Sequence, residues 1–94
     1  MRIASIVIPT LNEEKNLRVL LSQIDTKKYE VIVVDGNSTD GTVNVARKFG
    51  VKVLHTYKGK GTALRKGMSV ASGNIIITMD ADLSHRISEL VLLI

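Results

Sequence analysis

The feature that most constrains this chain is the run Val31-Ile32-Val33-Val34, an unbroken stretch of β-branched residues that stops at Asp35. A half-buried strand alternates apolar and polar residues, whereas a strand covered on both faces is apolar throughout. The run therefore predicts a strand over residues 29–34 inside a parallel sheet. Parallel neighbours need crossover connections long enough to hold a helix. The rest of the chain supplies them, because apolar runs begin near residues 3, 30, 51 and 74 with turn-rich segments and helical patterns between them. Residues 3–9, 29–34, 51–56 and 74–79 read as strands. These segments share no residues in register, so the spacing reflects strand, loop and helix units and not a sequence repeat. The predicted fold is α/β: a Rossmann-like open parallel sheet with flanking helices, ordered βαβαβαβ, with right-handed crossovers.

The helices are marked by their apolar stripes and punctuation. Leu17, Leu20, Leu21 and Ile24 fall on one helical face, with Thr10 and Glu13 predicted to form a capping box and Lys27 and Lys28 to close the helix. Ser38, Thr39 and Asp40 are candidate caps of the second helix, which carries Val43, Ala46 and Phe49 on one side and stops at Gly50. Leu64, Gly67, Met68 and Ala71 mark the third, ended by Gly73.

Composition removes several classes. Ninety-four residues make one domain, and 45% hydrophobic with 23% charged residues is the balance of a globular chain. With no cysteine there are no disulfides, thiolate zinc sites or cysteine nucleophiles, which fits a cytoplasmic setting. The first apolar run is cut by Pro9 and the acidic Glu13 and Glu14, so it does not read as a signal peptide, and no run approaches the length of a membrane span. The formal charge of +4 favours anionic partners, yet the only aromatics are Tyr29, Phe49 and Tyr57, too few for a stacking nucleic-acid surface. Nucleic acid is therefore not expected.

In open α/β sheets ligands bind beyond the carboxyl ends of the strands, and the chemically distinctive segments all fall there. Asp80-Ala81-Asp82 offers two hard oxygen donors that could share one Mg²⁺ or Mn²⁺ bridged to a diphosphate, or could cap a following helix. Asp35 could accept hydrogen bonds from a nucleobase or ribose, or serve its own turn; Asp40 reads most simply as a first-turn carboxylate at a positive helix end. The segment Thr10-Leu11-Asn12-Glu13-Glu14 lacks the glycines of a dinucleotide turn, and Gly36 to Thr42 lacks the lysine of a P-loop. Lys58-Gly59-Lys60-Gly61-Thr62 could wrap phosphate oxygens with backbone amides and ammonium charge, or be a solvated connection. His55 reads as a strand residue, and His85 as peripheral to Asp82.

Together, the segments Ser5 to Glu14, Val33 to Thr42, Gly59-Lys60-Gly61-Thr62-Ala63 and Asp80-Ala81-Asp82 resemble the family-2 glycosyltransferases of GT-A fold, most closely those that use dolichyl or polyprenyl phosphate. The resemblance covers essentially the whole chain. It implies a nucleotide-sugar site for a GDP- or UDP-hexose in which Pro9, Leu11 and Glu13 border the nucleoside and Asp35 contacts the base. Lys60 and Gly61 lie at the phosphates, with Asp80, Ala81 and Asp82 by the ribose, diphosphate and metal. Transfer in the family is inverting, and a polyprenyl phosphate acceptor is already an anionic nucleophile that needs no strong general base. Such an acceptor implies a peripheral position at the cytoplasmic membrane face.

Two departures from the family pattern matter. Many members carry two consecutive aspartates where this chain has Asp35 and Gly36, and Ser84 stands where some carry a metal-side glutamine. Family catalytic domains also continue well past the Asp-x-Asp segment into an acceptor half. The chain is therefore expected to be a truncated donor domain, weakly active or inactive alone. The other reading is a non-catalytic nucleotide-binding module or assembly partner. With no later strand in prospect to pair with residues 74–79, homo-oligomerisation through that edge is expected.

Overall fold

Each apolar run becomes a strand, and each connection between parallel strands carries a helix. A computed structural model describes residues 3–57, 59–72, 75–79, 81 and 90–92. In chain order the elements are β1 (Ala4–Thr10), α1 (Glu14–Ser22), β2 (Tyr29–Asp35), α2 (Thr42–Lys48), β3 (Lys52–His55), α3 (Lys60–Val70), β4 (Ile75–Thr78) and β5 (Leu90–Leu92). The sheet order is β3-β2-β1-β4-β5, with β1 to β4 mutually parallel as the sequence predicts.

The expectation that β4 would lack a partner is corrected. β5 pairs antiparallel with it, setting Ile75, Ile76 and Ile77 opposite Leu92, Val91 and Leu90. A later apolar segment that pairs with an edge strand closes that edge. The edge argument for self-association therefore loses its premise.

Both faces of the sheet are covered, which is why β2 carries no alternation. Ile6, Ile8, Val31, Val33 and Ile77 point toward α1 and α2, packing with Leu17, Leu20, Leu21, Val45 and Ala46. Val7, Ile32, Val34 and Ile76 point the other way, toward Ala63 of α3 and its neighbours Leu64 and Met68. Burying one such aliphatic side chain fully contributes roughly 1.5–3 kcal/mol. α3 lies close because Gly67 faces β1: a Cβ there would fall 2.3 Å from Val7 Cγ1.

Local details depart from the sequence expectations at the helix ends. α1 starts at Glu14 without a side-chain cap from its own sequence, because the Thr10 hydroxyl is bonded to Asp35 instead. It stops at Ser22, so Ile24 is buried from the following turn. Lys27 and Lys28 lie beyond it, where the Asp25 carboxylate accepts the Lys27 N–H at 2.9 Å. On α2 the fully buried positions are Thr42, Val45 and Ala46, with Val43 only half-buried. The basic glycine segment is not wholly a loop either, since Lys60, Gly61 and Thr62 form the first turn of α3.

Candidate functional site

The loops after β1 and β2 are built around one another. Asn12 adopts a positive φ of 52°, a conformation asparagine tolerates, and its side-chain oxygen accepts the Thr39 N–H at 2.8 Å and the Asp40 N–H at 3.4 Å. Its own N–H donates to Ser38 Oγ at 2.8 Å. A helix begins with unpartnered N–H groups, and here each helix borrows acceptors from the other's loop. The Glu14 N–H donates to Asp40 Oδ2 at 3.3 Å, while the Gly41 N–H donates to Glu14 Oε1 at 2.9 Å. Thr42 Oγ1 accepts the Glu13 N–H at 2.9 Å and donates to Asp40 Oδ1. Asp40 therefore lies just ahead of α2, not within its first turn as the sequence position indicated, although its Oδ1 still accepts the Thr42 N–H at 2.9 Å. The Thr42 hydroxyl bond, with the Thr42 and Glu14 amides, holds its carboxyl below the ordinary carboxylate range against a smaller opposing effect of desolvation.

Asp35 closes β2 with its carboxylate buried, at 1% exposure. Its Oδ1 accepts the hydroxyls of Thr10 at 2.7 Å and Ser38 at 2.6 Å, and Oδ2 accepts the Ser38 N–H at 2.8 Å. A carboxylate offers about four acceptor sites, so three donors leave about one open. The turn role of Asp35 is therefore in place in the structure.

Beyond these strand ends lies a cleft of about 370 Å³. β1 and its loop contribute Pro9, Thr10, Leu11 and Glu13 to the lining, and Gly36 follows β2. Thr56, Tyr57 and Gly59 come from the β3 exit, Ala63 from α3, and Ala81 from the segment after β4. Such a cleft is where an order like 3-2-1-4 forms one, at the point between β1 and β4 where the order of strand addition reverses while the strands stay parallel. Gly59 supplies the bend into α3 with φ 91° and ψ 178°, backbone that residues with a Cβ rarely adopt.

Of the residues singled out from sequence, Pro9, Leu11, Glu13 and Ala81 line this cleft together. Asp35 lies behind the wall beside Gly36, and Gly61 sits exposed in the first turn of α3. Lys60 occupies the start of that turn. Asp80 and Asp82, with Ser84 and His85, lie outside the described residues, as does Lys58. Among the described residues no three acidic or histidine side chains gather as a metal cage. Ala81 itself is buried at 2% exposure in the cleft wall. Lys66 of α3 is engaged at the β3 exit, where its Nζ donates to the His55 carbonyl.

Sequence reasoning missed Gly36, Thr56, Tyr57 and Ala63 as lining residues. An aromatic directly after an apolar strand was the available signal for Tyr57. It placed Asn12, Ser38 and Thr42 in the segments after β1 and β2, with Ser38 a candidate helix cap, without seeing that they join two loops separated by more than twenty residues.

The sheet order and the cleft at its carboxyl edge define an open, doubly wound α/β ligand-binding domain. The chain belongs to glycosyl transferase family 2, whose sequence profile matches residues 5–94. It is 43% identical over 91 residues to a dolichol-phosphate mannosyltransferase of Pyrococcus furiosus, covering 86% of this chain and 26% of that protein. It is 33% identical to a glucosyl-3-phosphoglycerate synthase of Petrotoga mobilis, covering 86% of this chain and 30% of the relative. The fold matches the crystal structure of glucosyl-3-phosphoglycerate synthase from Mycobacterium tuberculosis in complex with Mn²⁺, uridine diphosphate and glucosyl-3-phosphoglycerate. That match has a TM-score of 0.75 at 31% identity, over 85% of this chain and 33% of the other. The chain thus spans about a quarter to a third of the relatives it matches. Among the described residues no helix is long and apolar enough to cross a membrane.

Proposed function

We propose that this chain is the donor-binding part of a glycosyltransferase, holding a GDP- or UDP-hexose in the cleft for inverting transfer to a polyprenyl phosphate. The observation that carries this reading is the cleft itself, which gathers Pro9, Leu11 and Glu13 after β1 and Ala81 after β4 around one volume. On this reading the nucleoside lies against Pro9, Leu11 and Glu13, and Asp35 offers its remaining acceptor site to the base. Lys60 and Gly61 face the phosphates from the first turn of α3, where backbone N–H groups and the helix dipole favour anions. Asp80 and Asp82 would hold Mg²⁺ or Mn²⁺, which when bound neutralises charge developing on the departing nucleoside diphosphate. The M. tuberculosis structures, which contain uridine diphosphate with Mn²⁺ or with Mg²⁺, support a metal-assisted nucleotide site.

The acceptor rests on different support. The P. furiosus relative is named for dolichol phosphate, and a relative from Aeromonas hydrophila, 33% identical over 105 residues, for undecaprenyl phosphate. A lipid phosphate is already ionised, so attack on the sugar carbon needs orientation more than proton removal. It would also bring the cleft to the cytoplasmic membrane face.

Calorimetry with UDP and GDP, in Mn²⁺ and in EDTA, tests the donor reading. Binding should require the metal and should weaken at least tenfold or so in Asp82→Asn, since carboxylates without a cation repel a diphosphate. Equal binding in Mn²⁺ and EDTA would defeat it.

A further inference from the structure

Two large apolar side chains at the cleft are left in solvent. Tyr57 is 79% exposed and Leu11 57%, although both line the same volume. Ile3, Val19 and Val70 are exposed too, but none of them lines this cleft, whereas Leu11 and Tyr57 stand exposed on it together. Between the two lies Gly36. A Cβ built there would rest 3.4 Å from the Thr10 carbonyl oxygen and 4.0 Å from both Leu11 Cδ1 and the carbonyl of Thr56, the residue before Tyr57. These are ordinary contact distances, so a single methyl would just fit over Gly36, and its absence leaves the cleft open to the backbone there.

We infer that Leu11, Gly36 and Tyr57 form a slot for a flat ring, and that Tyr57 determines affinity for the nucleobase by stacking on it. This rests on the donor reading above and adds a specific residue and a specific chemical moiety to it. A phenol ring offers a π face that any base can cover, and stacking gives affinity with little base selectivity. Leu11 supplies the opposing apolar wall, and the missing side chain at Gly36 allows the base to sit deep enough for its edge to approach the Asp35 turn. The polar rim then handles the phosphates separately.

The test uses the 94-residue chain with UDP, GDP and inorganic pyrophosphate in Mn²⁺. Tyr57→Ala should weaken both nucleotides about tenfold while changing pyrophosphate less than about twofold, and Tyr57→Phe should retain binding, as stacking needs the ring and not the hydroxyl. Gly36→Val should abolish nucleotide binding while unfolding at the denaturant concentration of the parent, because the new side chain fills the slot. Since the chain has no tryptophan and only two tyrosines, nucleotide should also quench tyrosine fluorescence in Tyr29→Phe but not in Tyr57→Phe. Nucleotide binding unchanged in Tyr57→Ala overturns the slot while leaving the donor reading standing. Equal losses for nucleotide and pyrophosphate overturn it as a general collapse of the rim. Failure of the parent chain to bind either nucleotide defeats both.

Discussion

Thr10 and Asp35 are register partners at the carboxyl ends of β1 and β2, and the Thr10 hydroxyl donates to the Asp35 carboxylate at 2.7 Å. Both are nearly inaccessible, at 4% and 1% exposure. This buried bond joins the roots of the two loops that form one side of the cleft, below the Asn12, Glu14 and Asp40 bonds that link them further out. Thr10→Val keeps the shape and removes the donor, and should cost about 1.5–3 kcal/mol, the usual worth of a hydrogen bond to a charged group. Thr10→Ser should retain most of it. Urea unfolding of the three proteins checks this, and an unchanged midpoint in Thr10→Val would mean that Ser38 alone holds the carboxylate.

Gly67 sits inside α3, where alanine would ordinarily be favoured over glycine by about 1 kcal/mol. The sign should reverse here. An alanine methyl would meet Val7 Cγ1 at 2.3 Å and Val34 Cγ2 at 3.1 Å, and both valines are fixed in central strands. Overpacking of this kind costs typically 1–3 kcal/mol, so Gly67→Ala should be destabilising. Val7→Ala in the same chain should recover part of the loss, giving a double variant more stable than the sum of the single changes predicts. A Gly67→Ala protein more stable than its parent would show that α3 can lift from the sheet without penalty.

Glu14 and Asp40 exchange main-chain donors across the two loops: each carboxylate accepts an N–H at the start of the other's helix. Because either bond holds the loops together for the other, Glu14→Ala and Asp40→Ala should each lower the melting temperature. The double variant should lose less than the sum. Strict additivity in thermal melts would mean that Asn12 alone keeps the loops in register.

How much of this was legible in the sequence depends on the range of the interaction. The strand order of apolar and polar residues is a local signal, and with two covered faces it gave β1 to β4 directly. Val31 to Val34 needed no partner to be read. The Thr10 capping box failed because a hydroxyl that satisfies a local motif equally satisfies a carboxylate in the neighbouring strand, and only the register decides between them. Leu90 to Leu92 read as an apolar run without a place, since the choice of β4 as partner is a tertiary fact. At the site, Pro9, Leu11, Glu13 and Ala81 were legible from motifs, whereas Tyr57 and Gly36 became visible only as neighbours around a shared space.

Glu30 lies at the opposite end of the sheet from the cleft and joins three segments. Its Oε1 accepts the Ser5 hydroxyl at 2.8 Å and the Ser72 N–H at 3.0 Å, and Lys52 Nζ stands 3.8 Å from Oε2. Burial pushes this carboxyl up, but the Ser72 amide, the Ser5 and Ser72 hydroxyls and Lys52 together outweigh burial and hold it below the ordinary range. The unfolded chain then binds the proton more readily than the native one. The stabilising contribution is therefore complete above the unfolded glutamate value of about 4.3 and is lost as the pH falls through the lowered native value. Glu30→Gln should be less stable than the parent at pH 7, and the two should converge on acidification, the parent falling more steeply below about pH 4. Nucleotide binding should not change, because none of these residues lines the cleft. Urea midpoints measured from pH 7 downward check both statements, and parallel curves for the two proteins would show that the Glu30 charge contributes nothing to holding β1, β3 and the end of α3 together.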